Sequence, residues 1–250
     1  RRWIACSQLP RSRSPSRSSR AGDPSMSQRG VVYMVWGREV DRPLARSIAS
    51  VKAIHPELPI HVERIADDPV ASRNLLKKAG LLDVSPFEST LFLDADTVVL
   101  GRLDHAFERA ERHGLACAIC ECPWARRYAS IAGDLVEYNT GVIFFTARAR
   151  AVFEAWKRLV HIDSSIKLSP TDRQMVMPFN DQAAFAKAID ETAFVPYVLP
   201  LNWNFRPKWH LAFFGPIKIW HDYADVPPPL YSICQRYERP DSVIQFHRPG

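Results

Sequence analysis

The run TLFLDADTVVL, residues 90–100, sets two aspartates one residue apart inside an otherwise apolar stretch. An apolar run of this length, rich in β-branched and aromatic residues, reads as a buried strand. A carboxylate is costly to bury unless it is paired or coordinates a metal. Asp94 and Asp96 therefore belong at the point where the strand ends. Residues two apart in an extended chain project to the same side, so the two carboxylates converge. In open α/β sheets ligands bind beyond the carboxyl ends of the strands, and paired hard oxygen donors there suit Mg²⁺ or Mn²⁺. The plain alternative is a turn carrying two solvated acids, and the apolar flanks weigh against it.

From residue 31 onward strand and helix patterns alternate. VVYMVW (31–36) has strand length and composition; Leu44, Ile48 and Val51 then share one helical face, which Pro56 stops. PIHVERI (59–65) reads as a second strand. Asp68 and Pro69 predict a helix start, an N-cap followed by Pro at the first helical position, with Gly80 as the close. The aspartate-bearing run is the third strand. Asp104 is a candidate cap for a helix that Gly114 ends, and LACAI follows as a strand. YNTGVIFF (138–145), a helix around 147–160, a helix from Asp181 and strands near 194–199 and 216–220 complete the pass. The alternation predicts an α/β sandwich with a largely parallel central sheet, in one domain over 29–250.

The net charge of +6 suggests nucleic acid until its distribution is read. Residues 1–30 hold seven arginines against Asp23, and residues 31–250 carry 26 basic and 26 acidic residues. The excess thus belongs to the Arg/Ser-rich segment 1–28, predicted to be a disordered tail, with Met26 as the expected start of the globular chain. An RNA-binding role for that segment is the competing reading, and the neutral domain lends it nothing. WIAC near the N-terminus is too short for a signal peptide, and no run approaches a membrane span. The expected location is the cytoplasm. Cys117, Cys120 and Cys122 are spaced closely enough to suggest zinc, yet GLACAICECP also reads as a buried strand and no fourth ligand is evident nearby. Core packing is the expected role of these thiols.

Taken together and in order, VVYMVWG, SPFESTLFLDADTVVLGRLDHAFE, YNTGVIFF, NDQAAF, LPLNWNF and IKIWHDY resemble the GT-A fold nucleotide-diphospho-sugar glycosyltransferases, within them family 8 and the glycogenin-like enzymes. The resemblance implies a Rossmann-like sandwich and transfer of a sugar from a nucleotide-diphosphate donor, a UDP-sugar, to an unknown acceptor with retention of configuration. It implies a metal, Mn²⁺ or Mg²⁺, held by Asp94, Asp96 and His221, with His247 as a weaker competitor for the histidine. A neutral imidazole suits that role. Asn139, Asp181 and Gln182 match the family positions that face the transferred sugar, and Gly141 allows close backbone approach. Arg73, Lys77 and Lys78 lie where the family keeps a basic residue for the diphosphate, with Arg73 and Lys77 on one helical face. Tyr33, Val35 and Ala95 complete the expected nucleotide-binding set. The family's ending, a His followed by Gly and then Lys-Pro-Trp, is replaced by HDYADVPPPL, which leaves the diphosphate-gripping lysine unassigned.

Two alternatives stand beside this reading. One keeps the fold without catalysis, as a nucleotide-sugar-binding module. The other takes the same aspartates as the first motif of a haloacid-dehalogenase-like phosphatase, Asp94 as nucleophile and Asp96 as general acid. In that family the motif stands near the start of the domain, whereas about sixty residues of strand and helix pattern precede it here.

Overall fold

A computed structural model describes residues 28–120, 135–160, 164–168, 173–177, 181–210, 212–236 and 244–247. Residues 1–27 of the predicted tail and Cys122 lie outside these residues. The chain runs β1 (Arg29–Val35), α1 (Asp41–Ile54), β2 (Ile60–Arg64), α2 (Ala71–Leu76), α3 (Leu81–Val84), β3 (Ser89–Leu93), β4 (Thr97–Val99), α4 (Asp104–His113), β5 (Leu115–Ile119) and β6 (Tyr138–Thr146). It continues through α5 (Arg150–Leu159), β7 (Ser164–Leu168), β8 (Arg173–Met177), α6 (Asp181–Glu191), β9 (Tyr197–Leu199), β10 (Ala212–Gly215), β11 (Ile219–His221), α7 (Pro228–Arg236) and β12 (Ile244–His247).

The period-two alternation of the strands explains how both faces of the sheet are filled. Val32 and Met34 of β1, Phe92 of β3 and Ile143 and Phe145 of β6 face a core closed by α5 and α6, with Phe153, Trp156 and Phe185 at its centre. Val31, Tyr33, Val35, Leu91, Leu93, Val142 and Phe144 face the other way, onto Leu44 and Val51 of α1 and Phe107 of α4. Burying each of these large apolar side chains contributes on the order of 1.5–3 kcal/mol. The result is helices on both faces of a six-stranded sheet ordered β2-β1-β3-β6-β5-β9. The expected largely parallel sheet is present: β1 pairs in parallel with β2 and β3, and β5 with β9, while β6 runs against both β3 and β5. Among the described residues no helix is long and apolar enough to cross a membrane.

Three expected helix boundaries differ in the structure. The helix expected from Pro69 begins at Ala71, because Asp68 Oδ1 accepts the Val70 N–H at 2.8 Å and turns the chain first. Gly80 does not close it: Gly80 takes a negative φ of −85°. The chain instead passes through a 3₁₀ turn, Lys77–Gly80, into α3. Gly114 does end α4, at φ +88°. Asp104 is that helix's first residue rather than its cap, and the Leu103 N–H is met by His55 Nε2 at 3.0 Å. Cys117 and Cys120 are buried free thiols, and burial pushes the Cys117 thiol upward, as for a core residue.

Candidate active site

β1 leads through α1 to β2 on one side and, through α2 and α3, to β3 on the other, so the strand order reverses between β1 and β3. Ligands of open α/β sheets bind at such a point. A cavity of about 820 Å³ opens there, lined by Met34, Val35 and Trp36 from the end of β1 and by Asp94, Ala95 and Asp96 from the end of β3. That volume suits a small-molecule site.

The aspartate turn is fixed from below. Asp94 N–H donates to Gly141 O at 2.8 Å, while Thr97 donates to Asp94 O through its N–H (3.2 Å) and its hydroxyl (2.8 Å). Hydroxyl bonds of 2.9 Å run on from Thr97 to Ser47 and from Ser47 to Tyr33. Tyr33 is fully buried and its side chain supports this turn; it is not among the cavity-lining residues. Burial raises its phenol pKa against the opposing Ser47 bond.

His221 reaches the aspartates through backbone pairing. β11 runs antiparallel to β4, with His221 opposite Thr97, one residue past Asp96. His221 Nε2 lies 3.3 Å from Asp96 Oδ1 and 3.9 Å from Asp94 Oδ2. One ligand atom from each of Asp94, Asp96 and His221 falls within 4.8 Å of the others. Two carboxylates and an imidazole at this spacing are a donor set that fits Mn²⁺ or Mg²⁺. On its other edge the ring meets Asn204: His221 Nδ1 is 2.7 Å from Asn204 Oδ1. Asn204 Nδ2 donates to Asn139 Oδ1 at 2.8 Å, which also accepts the Gly141 N–H at 2.9 Å. His247, the weaker candidate, ends β12 in the separate ribbon with β10.

A third acid joins through a lysine. Lys78 is 3% exposed; its Nζ lies 2.9 Å from Asp94 Oδ1 and 3.2 Å from Asp181 Oδ2. Thr140 also donates to Asp181 Oδ2, at 2.6 Å, and the Trp156 indole donates to the Asp181 carbonyl at 3.1 Å, tying the start of α6 to α5. Burial works to lower the Lys78 pKa, but the Asp94 and Asp181 charges outweigh it and hold the ammonium above the ordinary lysine value. Burial raises Asp94 despite the opposing charges of Lys78 and His221. Asp96 is also opposed by burial, yet the hydrogen bond and charge of His221 hold it below the usual carboxylate range.

The three expected basic residues part company. Lys78 lines the cavity; Arg73 is exposed on α2, and Lys77 Nζ donates to Ala66 O at 2.7 Å. Lys78 bridges Asp181 to Asp94, so Asp181 joins the same cluster as the aspartate pair. Gln182 follows it on α6, half-buried. Asn139 is buried behind His221, its amide oxygen fully engaged.

Sequence reasoning gave no role to Asn204, Thr140, Thr97 or Arg46. Asn204 lies within LPLNWNF, so the segment carried a signal but its side chain's task did not. Arg46 clips the loop after β11 to the aspartate turn. It donates to Asp222 O (2.7 Å), Tyr223 O (2.9 Å), the Asp225 carboxylate (3.0 Å) and Asp96 O (3.4 Å).

No protein-family model matches the chain, and no curated protein sequence matches it. Solved structures do. Mouse xyloside xylosyltransferase 1 in its apo form superposes with a TM-score of 0.53 at 13% identity, over 79% of this chain and 99% of that one. LgtC, a galactosyltransferase solved with donor and acceptor sugar analogues, gives 0.52 at 13% identity, over 83% and 95%. The glycosyltransferase GlyE of Streptococcus pneumoniae TIGR4 gives 0.51 at 16% identity, over 84% of this chain and 60% of its own. The likeness is one of fold, and this chain has the α/β GT-A fold that these sugar-transferring proteins share.

Proposed function

We propose that the chain is a metal-dependent glycosyltransferase of the family 8, glycogenin-like kind. It would move a sugar from a nucleotide-diphosphate donor, a UDP-sugar, to an acceptor with retention of configuration. The observation that carries this is the convergence of Asp94, Asp96 and His221, the two aspartates lining a cavity beyond the ends of β1 and β3. The donor and acceptor sugar analogues in the LgtC complex support the substrate class. An active-site glutamine-to-glutamate mutant of LgtC supports attention to Gln182.

Asp94, Asp96 and His221 would hold Mn²⁺ or Mg²⁺, whose charge stabilises the departing nucleotide diphosphate. Val35 and Ala95 wall the nucleotide side of the cavity. Lys78 keeps a second positive charge at the same end, fixed between Asp94 and Asp181. Asp181 places a carboxylate beside the sugar, where it favours an oxocarbenium-like transition state over the ground state.

The test is metal-dependent hydrolysis across a panel of nucleotide sugars. Turnover should require Mn²⁺ or Mg²⁺ and vanish in Asp96→Ala with folding retained. Full activity in Asp96→Ala sinks the assignment. Tight donor binding without turnover favours the binding module, and phosphate release from a phosphomonoester favours the phosphatase.

A further inference from the structure

The hydrogen bonds behind His221 determine where its proton sits, starting from a group that cannot flip. Side-chain amides can be turned end for end without visible consequence, so their orientation has to be argued from their partners. The Gly141 N–H is backbone and can only donate, so the Asn139 atom 2.9 Å away is its oxygen. That oxygen, 2.8 Å from the Asn204 amide, requires the Asn204 nitrogen to face it. Asn204 therefore presents its oxygen to His221 Nδ1 at 2.7 Å, and an amide oxygen accepts only. Nδ1 carries a proton whatever the ring's charge. In the neutral ring the lone pair is then on Nε2, the atom facing Asp94 and Asp96.

We propose that Asn204 is a positioning residue, held by Asn139 and the Gly141 N–H, that fixes the His221 tautomer and reserves Nε2 for a divalent cation. The proposal rests on the metal reading above. It gives Asn139 a task other than facing the sugar. All three links are enclosed: Asn139 and Asn204 are buried, and no Cβ fits at Gly141 because it would collide with His221 Cε1. Partners of this kind orient metal-binding histidines, and losing them typically lowers metal affinity 10–100-fold.

The test uses the full chain with ¹⁵N-labelled histidine. In metal-free wild type, His221, assigned by its absence in His221→Gln, should show an exchange-protected Nδ1–H. Asn204→Ala should lose that protection. Asn139→Asp should keep it, because a carboxylate still accepts from both Gly141 and Asn204. Asn139→Leu breaks the same chain independently, so the outcome does not hang on one variant folding. Mn²⁺ titration followed by electron paramagnetic resonance should show affinity about 10–100-fold weaker in Asn204→Ala, and Asn139→Asp close to wild type. A wild-type ring protonated on Nε2 alone, or an Asn204→Ala protein that keeps both protection and affinity, overturns the proposal. If wild type takes up no Mn²⁺ while the Nδ1–H signal follows the variants as stated, the relay stands and the metal reading alone falls.

Discussion

At Gly141 a single carbon atom separates a usable site from a blocked one. A Cβ there would collide with His221 Cε1 and stand 2.7 Å from Asp94 Oδ2, so two side chains of the proposed metal site would have to move at once. Gly141→Ala is expected to fold, since the clash falls on side chains at the sheet's end. It should lose at least tenfold in Mn²⁺ affinity, about 1.4 kcal/mol, and calorimetric titration measures this; wild-type affinity would remove the crowding argument. Lys78 poses the opposite case. It is the buried positive charge between Asp94 and Asp181, and removing one partner of a buried ion pair leaves an uncompensated charge. Lys78→Met should therefore cost about 3–5 kcal/mol of stability, read from the denaturant midpoint. Added Mn²⁺ should recover more stability in the variant than in wild type, because a cation then compensates Asp94. An unchanged midpoint would show that Lys78 is not structurally needed.

Among the elements, the β4–β11 ribbon matters most, because it brings position 221 beside positions 94 and 96. Arg46 on α1 secures that ribbon's outgoing loop by bonds to the Asp222, Tyr223 and Ala224 carbonyls and the Asp225 carboxylate. Tyr223 in this loop lines the cavity. Arg46→Leu should loosen the loop while leaving the Asp94 and Asp96 side chains unaltered, so KM for the donor should rise several-fold with a smaller change in kcat, the signature of lost ground-state binding. Steady-state kinetics separates the two, and an equal fall in kcat with KM unchanged contradicts the clip. The same elements show what could be read from sequence. Asp94 and Asp96 were legible because apolar flanks on β3 and β4 leave a charge nowhere to go but the strand end. Lys78 was legible only as one of three basic residues. Helical phase favoured Arg73 with Lys77, but the helix tightens into a 3₁₀ turn at Lys77 and Lys78 becomes the inward side chain. Asn204 was not legible as a partner of His221, because they meet only once the Leu201–Trp203 turn packs beside β11.

At the scale of the molecule, the site is a meeting point of segments far apart in the chain. Asp94 comes from the end of β3, Lys78 from the turn before α3, Asn139 from β6, Asp181 from α6 and His221 from β11. None of these elements could assemble the donor set alone, so a ligand that bridges them binds the folded chain and not the unfolded one. Such binding stabilises by about 2.7 kcal/mol at a ligand concentration of 100 Kd. For a chain of 150–250 residues each kcal/mol raises the melting temperature by roughly 2–4 °C. Mn²⁺ with a nucleoside diphosphate should therefore raise Tm by about 5–10 °C at that saturation. The paired ligands should act together: the diphosphate alone should give a much smaller shift, because its oxygens and the Asp94 and Asp96 carboxylates repel one another without a cation between them. Asp94→Ala combined with Asp96→Ala should start from a lower Tm, because buried Lys78 loses one of its two partners, and should show little response to either ligand. Scanning calorimetry on the two proteins, with Mn²⁺, the diphosphate or both, gives the comparison directly. Equal shifts with and without the metal, or an undiminished shift in the double variant, would place the binding energy elsewhere than in these carboxylates.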